Sequence, residues 1–115
     1  MSERFAKAPS DHHYAVIFSS QLADDDDGYA EMGDKMFELA LQQPGCFGAE
    51  SARDETGFGI TVSYWDSEES IARWKEDARH LVAQRMGIER WYTHYELRIA
   101  RVERAYSGPR GRSVG

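Results

Sequence analysis

The chain has 115 residues, 41% of them hydrophobic, and a formal charge of −6. That is one domain with enough apolar content for a folded core, and the acidic balance argues against nucleic acid or an anionic membrane as a partner. One cysteine, Cys46, permits no internal disulfide; no apolar run approaches the roughly 20 residues of a membrane span, and the first residues lack the apolar core of a signal peptide, so a reducing, cytoplasmic setting is expected.

The charge is uneven: residues 1–84 carry 7 basic and 17 acidic side chains, a net −10, whereas residues 85–115 carry 7 arginines and 3 glutamates, a net +4. Residues 1–12 are polar and read as a flexible N-terminal segment, residues 13–106 as the folded domain, and residues 107–115, rich in Gly, Pro, Arg and Ser, as a tail. His13 to Gln21 reads as a strand with Tyr14, Val16 and Phe18 on one side and Ala15 and Ile17 on the other; apolar groups on both sides mark a strand interior to its sheet. The acidic run Asp24–Asp27 lacks the alternating ligand spacing of a calcium loop and suits the positive end of a following helix. Tyr29 to Gln43 is that helix, with Tyr29, Met32, Met36, Leu39 and Ala40 at helical spacing, and Pro44-Gly45 ends it. Two strands follow, Cys46–Arg53 and Phe58–Trp65, joined by the short loop Asp54-Glu55-Thr56-Gly57. A second helix is expected from Ser67 to Arg85. Asp66 or Ser67 caps it and Glu69 lies in its first turn; Ile71, Trp74, Ala78, Leu81, Val82 and Arg85 form its inward stripe. After a break at Met86-Gly87-Ile88, a last strand covers Trp91 to Glu103, with Trp91, Thr93, Tyr95, Leu97 and Ile99 alternating against Tyr92, His94, Glu96 and Arg98.

The order is β-α-β-β-α-β, the α+β ferredoxin-like arrangement: a four-stranded antiparallel sheet with two helices on one face. Val62, Leu97, Ile99 and their neighbours supply more apolar surface than one helix layer covers. Face-to-face pairing of two copies is the expected remedy.

The order of elements, the turn Gln43-Pro44-Gly45-Cys46-Phe47 and the segment Tyr64-Trp65-Asp66-Ser67-Glu68-Glu69-Ser70 running to Trp74 resemble the antibiotic biosynthesis monooxygenase family over about residues 13–104. The resemblance implies a dimeric α/β barrel with a pocket between each subunit's sheet and helices. Some members of the family oxygenate polycyclic aromatic phenols without metal or flavin, others bind and degrade haem, and many have no known reaction. The oxygenases carry an asparagine four residues before the tryptophan that matches Trp65; Thr61 stands there. The haem-degrading members carry an iron-ligand histidine ten residues after the tryptophan that matches Trp74; Gln84 stands there. Their first-strand asparagine is replaced by Ser19 and Ser20, so haem degradation is disfavoured.

Candidate groups follow. Trp65 and Trp74 wall a pocket for a flat ligand beneath the second helix, with Thr61 and Ser63 on the same strand face as Trp65 by analogy with the family. Tyr95 offers a hydroxyl; Tyr64 has one too, on the opposite strand face from Trp65. Each indole is more simply readable as core. Arg85, on the inward stripe, either snorkels to an acid or meets an anionic or phenolate substrate. His13 and His94 are the candidate general bases, because histidine titrates near neutral pH; adjacent His12 and His13 point to opposite faces and make no metal motif. His80 falls on the far side of its helix, toward water. Cys46 reads as an inert, buried thiol. No phosphate loop, dinucleotide fingerprint or hydrolase elbow is present, and neither cofactor nor metal is expected. Two functions stay open: a cofactor-independent monooxygenase acting on a small hydrophobic or aromatic molecule of phenolic or quinone type, and a non-catalytic dimeric module that binds such a molecule. Haem binding without degradation is a third.

Overall fold

The computed structural model describes residues 4–23, 37–85 and 92–108, with side chains described outside 79–85. The Asp24–Asp27 run, the first turns of the helix at Tyr29–Met36, the break at 86–88 and Trp91 lie outside the described residues, as does the tail from residue 109.

Strand β1 (His13–Leu22) is followed by helix α1, helical over residues 37–42. Then come strand β2 (Cys46–Arg53), strand β3 (Phe58–Trp65), helix α2 (Glu68–Arg85) and strand β4 (Tyr92–Val102). The sheet order is β2-β3-β1-β4 with antiparallel neighbours throughout. This is the ferredoxin-like topology. β1 is interior, as its two-sided apolar pattern requires.

Register fixes what each face carries. Tyr14 opposes Trp65, Val16 opposes Ser63, and Phe18 opposes Thr61; across the other edge Val16 opposes Ile99 and Phe18 opposes Leu97. All these share the helix face, because side chains alternate at period two. Its core is Val16, Ala40, Trp65 and Ile71, with Tyr14, Cys46 and Trp74 packed against it. Val62 opposes Ile17 and so lies on the other, open face. The apolar surplus is therefore divided: Leu97 and Ile99 belong to the helix face, and Val62 and Ile60 to the open one. A register shift between Gln21 and Leu22 pairs Leu22 with Tyr92. The bulge turns Tyr92 onto the helix face, where its ring lies 5.4 Å from Phe18, instead of onto the side of His94 that strict alternation assigns.

Two turns set the frame. In the first, Gly45 has φ 93°, a conformation that only glycine adopts cheaply. Its carbonyl accepts from Asp66 N at 2.8 Å. A Cβ there would run into Asp66 Oδ1 at 2.5 Å and Ser70 Cβ at 2.8 Å. Ser67 is the α2 cap: its Oγ accepts from Ser70 N at 3.1 Å, while Ser70 Oγ donates to Asp66 Oδ1 at 2.7 Å. In the second turn Asp54 Oδ1 accepts from Thr56 Oγ1, Thr56 N and Phe58 N. The Thr56 hydroxyl, seconded by those amides, holds the Asp54 carboxyl below its ordinary range.

Residues 4–12, read as loose, make defined contacts. Ala6 N donates to Glu50 Oε2 at 2.9 Å, and Ser10 O accepts from Ala105 N at 2.9 Å. Glu50 also accepts from Tyr64 OH, at 2.9 Å on Oε1. Burial, helped by that carboxylate, pushes the Tyr64 phenol up to about 12. Among the described residues no helix is long and apolar enough to cross a membrane.

Replacing Gly45 with Ala should lower unfolding stability by about 2 kcal/mol or more, from the strained backbone plus the clash, measured by chemical denaturation; an unchanged midpoint would show that the turn tolerates a side chain. Replacing Glu50 with Gln should move the Tyr64 titration part of the way from about 12 back toward 10, followed by tyrosine-ring NMR, with the burial contribution left in place. Because the folded value is raised, the stabilisation is complete below pH 10 and is lost as pH climbs toward 12. A Tyr64 titration identical in the variant would refute the coupling.

Candidate functional site

The helix face presents four cross-strand rows. From the α2 end they are Cys46–Trp65–Tyr14–Arg101, Ala49–Ser63–Val16–Ile99, Ser51–Thr61–Phe18–Leu97 and Arg53–Gly59–Ser20–Tyr95. Thr61, Ser63, Trp65 and Tyr95 thus share one face. Trp74 joins them from α2, its ring 5.6 Å from that of Trp65 and tilted by 38°.

The two indoles pack directly on each other. Trp65 is fully buried, and its Nε1 donates to Ser63 Oγ at 2.8 Å. They close one end of the face together instead of standing apart with a gap between them. Trp74 is half-buried, but its Nε1 is shut off from solvent and has no acceptor among the described residues. A buried N–H left unmatched costs free energy, so an acceptor brought to this atom would be stabilising.

Away from the indoles the face divides lengthwise. Along β1 and β4, Phe18, Tyr92 and Tyr95 form an aromatic cluster with ring separations of 5.4, 5.5 and 6.0 Å. Along β2 and β3 the surface is polar: Ser51 Oγ and Thr61 Oγ1 share a hydrogen bond at 2.7 Å, and Arg53 Nη2 donates to Ser20 Oγ at 2.9 Å. Sequence reasoning passed over Phe18, Ser51, Arg53 and Tyr92. For Arg53 a signal existed. Gly59, a glycine inside a strand, marks a close approach, and a Cβ there would meet the Arg53 guanidinium carbon at 2.7 Å.

The two candidate bases do not join this group. His13 sits on the open face by strand parity, opposite Val102, and is 2% exposed. Its ring meets those of Phe47 and Tyr64 edge-on at 6.2 and 5.8 Å, and its Nδ1 lies 2.9 Å from Asp11 O. His94 is exposed, opposes Gln21, and pairs with Glu96 at 2.7 Å. Arg85 ends α2, and its side chain, with those of His80 and Gln84, is outside the described residues. Burial raises the Cys46 thiol above its ordinary value, outweighing the bond it donates to Gly48 O. Among the described residues no group of three or more His, Cys, Asp or Glu is gathered in a way that could hold a metal ion. An apolar groove is present on the open face, where Ile60, Val62, Ala52 and Glu50 lie beside Arg4 and Phe5.

Comparison with known proteins agrees with this frame. A Bacillus subtilis protein, YqjZ, itself uncharacterised, is 44% identical over 104 residues, covering 90% of this chain and 91% of its own. Among solved structures, SO0527 from Shewanella oneidensis superposes with a TM-score of 0.68 at 8% identity, covering 88% of this chain and all of its own. PA3566 from Pseudomonas aeruginosa gives 0.65 at 12%, covering 86% and 100%. SnoaB, a cofactor-independent oxygenase from Streptomyces nogalater, gives 0.64 at 9%, covering 79% and 92%. At such identities these structures speak for the fold. The model of the family described as antibiotic biosynthesis monooxygenase matches residues 14–86, from the first residues of β1 through both turns and the whole of α2, and the chain belongs to that family.

Proposed function

We propose that the chain is a cofactor-independent monooxygenase acting on a small aromatic molecule of phenolic or quinone type held between the sheet and the helices, with a second copy covering the open face. The observation that carries this reading is the grouping of Thr61, Ser63, Trp65, Trp74 and Tyr95 on one face, beside an aromatic floor and a buried indole donor with no acceptor among the described residues. A flat ring suits the floor; a carbonyl or phenolate oxygen suits the indole N–H and the hydroxyls of Ser51 and Thr61.

The chemistry needs an electron-rich anion. Loss of a proton from a phenolic or enolic substrate gives a carbanion-like centre that reduces dioxygen directly. One oxygen atom ends in the quinone and the other leaves as water, with the two hydrogens the substrate gives up: the ionising proton and the hydrogen on the carbon that is oxygenated. The protein's part is to bind the ring, exclude water and hold the developing oxyanion with fixed donors. Arg85 remains a proposed contributor to that charge. With His13 and His94 on the opposite face, neither reaches this substrate directly. That placement favours a second reading: a binding module of the same ligand class that leaves the molecule unchanged.

Oxygen uptake with an anthrone-type phenol in metal-free buffer should proceed with one quinone formed per dioxygen consumed. Trp74→Phe, which keeps an aromatic ring and removes the donor, should lower kcat/KM about fivefold, the worth of one neutral hydrogen bond. Saturable binding with no oxygen consumed would defeat the enzyme reading and leave the binding module; a Trp74→Phe variant with unchanged kcat/KM would remove the indole donor from the site.

A further inference from the structure

We infer that the open face of the sheet receives a second copy laid with β2 of one chain over β4 of the other, Glu50 of each pairing with the partner's Arg98. The inference rests on the reading that a second copy covers this face; it adds which way that copy lies and what holds it there.

Register assembles three rows on the open face: Gly48–Tyr64–Ala15–Ala100, Glu50–Val62–Ile17–Arg98 and Ala52–Ile60–Ser19–Glu96. The middle row has an apolar pair at its centre, an acid at the β2 end and a base at the β4 end. Its two charges stand three strand spacings apart, too far to meet within one chain. Glu50 accepts from Ala6 N and Tyr64 OH, both neutral donors, which leave its charge unmatched. Arg4 borders the same groove without bridging to Glu50. Arg98 is exposed. Among the described residues neither Glu50 nor Arg98 has an ion-pair partner; the bridges present join His12 and Arg101 to Glu103, and His94 to Glu96.

Stacked sheets keep their strands roughly aligned, and two identical chains meet about a two-fold axis that makes each contact twice. An axis across the strands lays β3 on the partner's β3, so that Ile60, Val62 and Tyr64 crowd their own copies. Centred on the middle row, it also sets acid against acid and base against base. An axis along the strands, between β3 and β1, keeps each row facing its own copy reversed. Val62 then lies over the partner's Ile17, Tyr64 over the partner's Ala15 and Ile60 over the partner's Ser19, so that larger side chains meet smaller ones. Glu50 lies over the partner's Arg98 on one side of the axis, and the reverse pair forms on the other. Sheets pack about 10 Å apart, a gap that a glutamate and an arginine reach across together. The exposed Phe5, Phe58 and Ile60 come under cover in the same step. The two ion pairs flank this apolar centre, where they set the direction of docking more than its strength.

The test is sedimentation equilibrium of the full chain at low salt, where charge is least screened. The wild type should be a dimer. Glu50→Lys and Arg98→Glu should each weaken the homodimer about a hundredfold, roughly tenfold for each of the two symmetric pairs. Mixed in equal amounts, the two variants regain both opposite-charge pairs and should associate within a few fold of the wild-type Kd, which also certifies that both are folded. A wild-type dimer that either reversal leaves unchanged, or a mixture no tighter than its components, overturns the pairing while the covered face stands. A wild type that stays monomeric at high concentration removes the second copy itself, and the pairing with it.

Discussion

The structure hangs on the meeting of two turns. The Gln43–Cys46 turn and the start of α2 are distant in sequence, yet Gly45 and the Asp66–Ser70 cap occupy one small volume. The Gly45 carbonyl takes the Asp66 amide, and the missing side chain at Gly45 leaves room for Asp66 and Ser70. This joint ties the entry of β2 to the exit of β3. It decides where α2 leaves the sheet, and so why Ile71 and Trp74 land on Trp65. The burial of these side chains is the hydrophobic gain; the joint fixes its geometry. Family features that look like two separate sequence marks are the two halves of one contact.

From that joint the helix face grades from dry to chemically varied. Near the start of α2 it is core, closed by the two indoles in contact. Further along, it divides into an aromatic strip on β1 and β4 and a hydroxyl and guanidinium strip on β2 and β3. A sheet produces such a division simply, because cross-strand neighbours sit side by side and each strand contributes every second residue. The same rule excludes His13 and His94. Their imidazoles are separated from Thr61 and Tyr95 by the thickness of the sheet, whatever their intrinsic suitability for proton transfer.

Much of the fold was legible. The limits of β2 and β3 follow from the turn residues around them, and α2 announces itself through Ser67 and the acids of its first turn. The placing of Tyr64 and Trp65 on opposite faces needed only parity. What was not legible depends on backbone pairing or on distance in sequence. The bulge that turns Tyr92 toward Phe18 arises from a register shift against Leu22, which alternation within β4 does not reveal. The division of Val62 from Leu97 and Ile99 requires the register between three strands. The direct contact of Trp65 with Trp74 depends on how closely α2 approaches the sheet, which spacing alone does not give. The contact of residues 4–12 with Glu50 and Ala105 comes from hydrogen bonds across long separations, between segments with little apolar patterning. Arg53 was readable only through its partner glycine.

Cys46 occupies the end of the row that holds Trp65, half-buried, and that burial raises its thiol above the ordinary range. Oxidants attack the thiolate, and the sulfenic and sulfinic steps begin from it. An oxidant that reached the helix face would meet at Cys46 a sulfur that burial shifts toward the protonated thiol, the form that reacts least.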